Sequence, residues 1–239
     1  MGVLEPPRYP KIAHLRPHAS VDVDDVVLDQ TLLRRWLTVD VRIEEKLDGA
    51  NVCLWRSPNG IRVLGRSRDG GRDRGNQLGP LRAWVAERSG RLLDALAVGQ
   101  AVYGEWLWRE HSVRYDSLPD YLIGIDVWTP EHKILDILDR DVALERAGVV
   151  APPVLHEGCV KDVATFDRLL NTRSRFSHSL VEGLIIRRLD GHRAVVKLVR
   201  PNFRRLHDTD WAAGRPLNRL KAPDAPYRDS WRRDGAGHA

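Results

Sequence analysis

The chain has 239 residues, 42% hydrophobic and 30% charged, proportions of an ordinary globular protein with room for one large domain or a domain with an appendage. Its two cysteines, Cys53 and Cys159, exclude a disulfide framework and a sulfur-held metal, and read as small buried thiols in a reducing compartment. No apolar run long enough to cross a membrane and no apolar leader between Met1 and Pro10 occurs, so the expectation is a cytoplasmic protein without membrane contact, whose net charge of +5 suits a polyanion-binding surface.

In chain order, residues 1–38 read as an N-terminal arm carrying Tyr9-Pro10-Lys11-Ile12-Ala13-His14-Leu15. His14 fits a packed arm and a site rim equally well. Val39, Val41 and Ile43 alternate as a strand, which delivers Lys46-Leu47-Asp48-Gly49-Ala50-Asn51 as a turn. Asn51 to Arg56 and Ile61 to Gly65 flank Ser57-Pro58-Asn59-Gly60, a hairpin signature. Arg66 to Gln77 is a Gly- and Arg-rich loop. Leu81, Val85, Leu92, Leu93 and Leu96 have helical spacing within Leu78 to Ala97, with Gly90 as the expected break. Ala101 to Leu107 and Tyr121 to Trp128 read as buried strands, Asp139 to Ala147 as a helix stopped by Gly148, and Val163 to Leu170 as another helix. Val181 to Arg188 and Arg193 to Val199 form a second hairpin through Leu189-Asp190-Gly191-His192. From Arg204 to Ala239 the chain is polar and basic and reads as a short extension. Hairpins interspersed with helices predict a mixed α+β fold on antiparallel sheets.

Only six of the 38 basic residues are lysines, and arginine cannot be deprotonated to attack an electrophile whereas lysine can. Lys46 is therefore a candidate nucleophile. At neutral pH only about one lysine in a thousand offers its lone pair, so a neighbouring cation such as Lys197, a metal ion or desolvation has to depress its pKa. Glu105 lies in a strand apolar on both sides, where a carboxylate needs a partner. Trp106, Trp108 and Trp128 fit packing at strand ends better than base stacking.

After Lys46 the chain presents, in order, Arg66-Ser67-Arg68, Tyr103-Gly104-Glu105-Trp106, Ile123-Gly124-Ile125-Asp126, Glu182-Gly183-Leu184-Ile185-Ile186-Arg187 and Lys197-Leu198-Val199-Arg200. This succession resembles the covalent nucleotidyltransferases, the polynucleotide ligases and capping enzymes, over roughly Lys46 to Phe203. Asn51, the Tyr9 to Leu15 opening and Phe203 resemble the ATP-dependent RNA ligase branch, with the RNA-ligase-two type and the RNA-editing ligases.

The resemblance implies an α+β nucleotidyltransferase (ATP-grasp-like ligase) domain over residues 1–203, with residues 204–239 as an extension too short for the oligonucleotide-binding barrel of DNA ligases and capping enzymes. It implies ATP with Mg²⁺ or Mn²⁺ as cofactors, a lysyl-AMP intermediate on Lys46, and sealing of RNA 5′-phosphate to 3′-hydroxyl ends, in company with an end-healing kinase or phosphatase. By the same resemblance Glu182 positions metal and its water, Glu105 holds the ribose hydroxyls, and Arg66 or Arg68 lies at the sugar and phosphate. Glu45 would fix the adenine edge, Asn51 would support the phosphate geometry, Ile125 and Ile185 would enclose the base, and Lys197 would face the phosphates. Two positions depart from the family: Ile125 stands where many relatives carry a stacking aromatic, and Val199 where they carry a second lysine. These departures feed the alternative of a nucleotide- or RNA-binding module with lost or partial ligation. A DNA-ligase or capping-type transferase is the other alternative.

Overall fold

The computed structural model describes residues 5–16, 25–29, 34–65, 78–191, 194–203 and 215–221. Among the described residues nine strands form two sheets. The first has the order β1 (Ala13–His14), β9 (Val195–Val199), β8 (Gly183–Arg188), β2 (Asp40–Lys46), β7 (Val154–Cys159); the second runs β4 (Gly60–Gly65), β3 (Ala50–Ser57), β5 (Ala101–Trp106), β6 (Leu122–Trp128). Among the described strands every pairing is antiparallel except β1 with β9. Among the described residues the helices are α1 (Leu78–Glu87), α2 (Ser89–Ala95), α3 (Ile137–Ala147) and α4 (Val163–Leu170). The α+β expectation on antiparallel sheets holds.

Strand alternation sorts the side chains into layers. On β2, Val41 and Ile43 join Leu184, Ile186, Val196 and Leu198 in a core closed by Phe166 and Leu170 of α4. On the second sheet Val52, Leu54, Val102 and Trp106 turn to Leu81, Trp84 and Leu92 of the paired helices. Its other face carries Cys53, Trp55, Tyr103 and Trp128, covered in part by Tyr9 of the arm.

The alternate residues of β2, Arg42, Glu44 and Lys46, point away from the α4 core, and the sheets meet through them. Arg140 of α3, 1% exposed, donates to Glu44 at 2.5 and 3.1 Å and to the Ile125 carbonyl at 3.1 Å. Arg187 of β8 donates to Glu44 at 3.0 Å and to Asp126 of β6 at 2.9 Å, and Asp126 also accepts from the Tyr9 hydroxyl. Burial works against the Arg187 charge, but Asp126 and Glu44 outweigh it and raise its pKa above the ordinary value. Buried charges persist only when paired in this way.

Several local expectations shift. Lys46 is the last residue of β2, not part of the turn that follows. The break in the helical stretch falls at Arg88, not Gly90, which lies inside α2. Helix α3 starts at Ile137, because the Asp136 carboxylate caps the amides of Leu138 and Asp139; its stop at Gly148, with φ of 70°, is as expected. Cys53 is buried but Cys159 is exposed, at the end of edge strand β7. Trp106, Trp108 and Trp128 are all buried, with Trp106 stacked on Trp108 at 6.4 Å, so packing is their role. His14 is packed as well, 2% exposed and paired to Lys197 in the β1–β9 register.

Candidate active site

Lys46 lies opposite Gly183 across the β2–β8 pair, so the chain entering β8 sets Glu182 beside it. Lys46 Nζ donates to Glu182 Oε1 at 2.6 Å, with side-chain exposures of 16% and 3%. Burial pushes the Glu182 carboxyl up to about 7, against the opposing pull of Lys46. Burial also opposes the Lys46 charge, but Glu182, Asp48 and Glu105 overcome it and raise the amine above its usual value. The charged form of Lys46 is therefore favoured by three carboxylates.

The turn after Lys46 is fastened at Asp48 and Gly49. Asp48 Oδ2 accepts from the amides of Ser112 at 2.5 Å and Val113 at 3.1 Å, while the Asp48 amide donates to the Tyr115 hydroxyl at 2.9 Å. The Gly49 amide donates to Glu105 Oε1 at 2.9 Å. A Cβ on Gly49 would lie 2.7 Å from the Trp106 carbonyl and 2.6 Å from Leu107 Cδ2, so glycine is needed for close approach to β5. Asn51 pairs directly with Glu105 across β3 and β5, which puts both at the mouth of the turn.

The other sequence candidates take distinct places. Ile185 sits between Glu44 and Lys197 in the β2–β8–β9 register, and Ile125 is anchored through its carbonyl by Arg140 and Arg187. Glu45, neighbouring Lys46 on an extended strand, points to the opposite face of the sheet; its Oε2 accepts from the Arg175 amide at 3.0 Å, its Oε1 is buried without a partner, and burial raises its pKa. Val199 is 4% exposed and belongs to the apolar core of the second sheet. Arg66 and Arg68 lie outside the described residues. Tyr115, Ser112, Val113, Arg140 and Arg187 were not foreseen as site residues, since their contribution lies in contacts between distant segments that no local pattern encodes.

Glu182 Oε2 is buried and has no hydrogen-bond partner, an oxygen donor of the kind Mg²⁺ and Mn²⁺ take. Among the described residues no group of three or more His, Cys, Asp or Glu side chains forms a metal cluster. The fit is to an ion held by one carboxylate, with water and phosphate oxygens completing its shell.

Among known protein families, the one described as RNA ligase matches residues 39–199, from the start of β2 to the end of β9. The chain belongs to the RNA ligase family. Solved structures agree in fold: a Naegleria gruberi RNA ligase variant in its apo form has 18% identity and a TM-score of 0.54, covering 83% of this chain and 62% of that one. A second variant of that ligase, with ATP and Mn, has 18% identity and a TM-score of 0.53, covering 82% and 62%. An archaeal ATP-dependent RNA ligase has 14% identity and a TM-score of 0.52, covering 80% and 48%. This RNA ligase family member thus spans between about half and three fifths of those ligases' length. No curated protein sequence matches it.

Proposed function

We propose that this chain is an ATP-dependent RNA ligase that works through a lysyl-AMP intermediate on Lys46. The observation that carries the proposal is the Lys46–Glu182 pair, with the second Glu182 oxygen left unpartnered beside a turn fastened to Glu105. Lys46 attacks the α-phosphate of ATP, a phosphorus–nitrogen bond forms, and pyrophosphate departs. AMP then passes to an RNA 5′-phosphate as a 5′-to-5′ anhydride, and a 3′-hydroxyl displaces AMP to seal the strand. Glu182, through its unpartnered Oε2, is the side chain that would hold a divalent ion, which when bound would supply positive charge against the phosphates. The Lys46 ammonium, which donates to Glu182 Oε1, would release its proton to solvent once that contact loosens, and the neutral amine is the attacking form. Glu105 has one oxygen on the Gly49 amide and is the residue placed to take the ribose hydroxyls. Lys197 serves the phosphates from the neighbouring strand, while Asn51 and Arg66 steady the nucleotide. Ile125 and Ile185 take the base, with Glu45 acting from behind the strand through the main chain. RNA with 5′-phosphate and 3′-hydroxyl ends, a cytoplasmic setting and an end-healing kinase or phosphatase complete the proposal.

The test is incubation of purified protein with α-labelled ATP and Mg²⁺ or Mn²⁺, without RNA, beside Lys46→Ala. Label that survives denaturation and alkali but is released by acid is expected on the wild type alone, followed by joining of a nicked RNA duplex. A second reading, a binding module that lost strand joining, draws on Val199, an apolar core residue where relatives place a lysine. Wild-type protein that stays unlabelled with ATP, GTP and NAD supports that reading instead.

A further inference from the structure

We infer that residues 215–221, beyond the stretch that matches the family, form a strap that positions the nucleophile turn, with Asn218 as its positioning residue; the inference rests on the lysyl-AMP reading above. Asn218 is 0% exposed. Its Nδ2 donates to the carbonyls of Leu107 at 2.9 Å and Arg109 at 3.2 Å, and its Oδ1 accepts from the Tyr115 amide at 2.8 Å. Its own amide donates to the Trp108 carbonyl at 3.1 Å, and its carbonyl accepts from the Tyr121 hydroxyl at 3.2 Å. Both amide protons, the amide oxygen and the main chain of one residue are all directed at the segment between Leu107 and Tyr121.

That segment is the one that grips Asp48. Ser112 and Val113 offer their amides to the Asp48 carboxylate, and the Tyr115 hydroxyl takes the Asp48 amide. Asn218 holds Tyr115 by its amide, and Tyr115 holds the residue two positions after Lys46, so the strap reaches the nucleophile through two links. The 112–118 segment has another anchor, the Phe176 carbonyl, which accepts from Asp116 at 3.0 Å and Ser117 at 3.2 Å. Loss of the strap therefore loosens one flank of the grip and leaves the other in place. A solvated polar tail would not bury an asparagine with every polar group engaged. Such placement is costly unless all its hydrogen bonds are made.

The experiment uses the full chain in three forms, wild type, Asn218→Ala and Tyr115→Phe, well below their melting temperatures and normalised to folded protein. Single-turnover self-adenylylation should slow about tenfold or more in both variants, as a sub-ångström displacement of a reacting group predicts. The ATP concentration for half-maximal rate should stay within about twofold. Hydrogen exchange, which needs no activity, should quicken at the Asp48, Ser112 and Val113 amides in Asn218→Ala and stay unchanged in β8 and β9. An unchanged rate per folded molecule, a change confined to ATP affinity, or exchange quickened equally throughout would each overturn the inference. If Asn218→Ala does not fold, Tyr115→Phe decides, since it deletes only the hydroxyl that meets Asp48. A wild type that takes no label defeats the lysyl-AMP reading instead, and the exchange measurement still reports whether the strap governs the turn.

Discussion

Replacing Gly49 with alanine tests how tightly the nucleophile is fixed. The new Cβ would sit 2.7 Å from the Trp106 carbonyl oxygen, where ordinary contact begins at 3.4 Å. Leu107 can swing its methyl aside, but the carbonyl belongs to β5, so the turn has to retreat by about 0.7 Å. A retreat of that size stretches the bond from the Gly49 amide to Glu105, now 2.9 Å, beyond useful range. Overpacking costs about 1–3 kcal/mol and loss of a bond to a carboxylate about 1.5–3 kcal/mol. At about 2–4 °C per kcal/mol for a chain of this size, melting should fall by roughly 5 °C or more. Because Lys46 is three residues away on the same segment, self-adenylylation should slow about ten- to hundredfold. The control is Leu92→Ala, a fully buried side chain of α2, which should lower melting by a similar amount through its cavity yet leave labelling per folded molecule unchanged. Scanning calorimetry and a labelling time course read both. A Gly49→Ala protein with wild-type labelling rate and melting temperature would refute the close-approach argument.

Arg140→Met should lower melting by roughly 6–20 °C, because it leaves Glu44 with one cation in a site closed to water, a loss of about 3–5 kcal/mol; thermal denaturation near pH 7 reads it. The Glu182 carboxyl is raised by burial from 4.5 to about 7, so its protonated form favours the folded state. That contribution is fully present below about pH 4.5 and is lost as pH rises through 7, with a slope of at most about 1.4 kcal/mol per pH unit; Glu182→Gln should flatten that part of the stability profile in denaturant titrations from pH 4.5 to 8. Chelation of divalent ions should abolish labelling while leaving the melting temperature within about 2 °C, since the Lys46–Glu182 ion pair forms without metal. Val199→Lys should destabilise the fold without speeding any step, because the side chain enters an apolar core; melting and single-turnover ligation together check this.

Much of the frame was readable from local chemistry. Hairpins at Pro58-Asn59 and Asp190-Gly191, helix α4 with its bounds and the αL stop at Gly148 all follow from turn residues and periodicity. Strand β7 was missed because Val154 to Cys159 is mostly exposed and lacks alternation; pairing with β2, not propensity, makes it a strand. The two-residue β1 exists through its pairing with β9 and a bridge from His14 to Val27. At the site, Lys46 and Glu182 were visible as sequence motifs and they do meet. The Glu44–Arg140–Arg187–Asp126 network was not visible, since buried ion pairs look like surface charges in a sequence. Asn218 sat in a stretch whose composition reads as solvated, and only its neighbours Leu217 and Leu220 hinted at burial.

The two sheets differ in how far along the chain their strands are gathered. The second draws on consecutive residues from Ala50 to Trp128, whereas the first joins β1 to β9 across about 180 residues. Short-range pairing closes fast and long-range pairing slowly, so on a ribosome the second sheet can be complete while β8 and β9 are still unmade. Lys46 is synthesised early yet waits for Glu182, and its proton stays under solvent control until the carboxylate arrives. The amine thus acquires its reactive setting only in a molecule whose last strands have already docked.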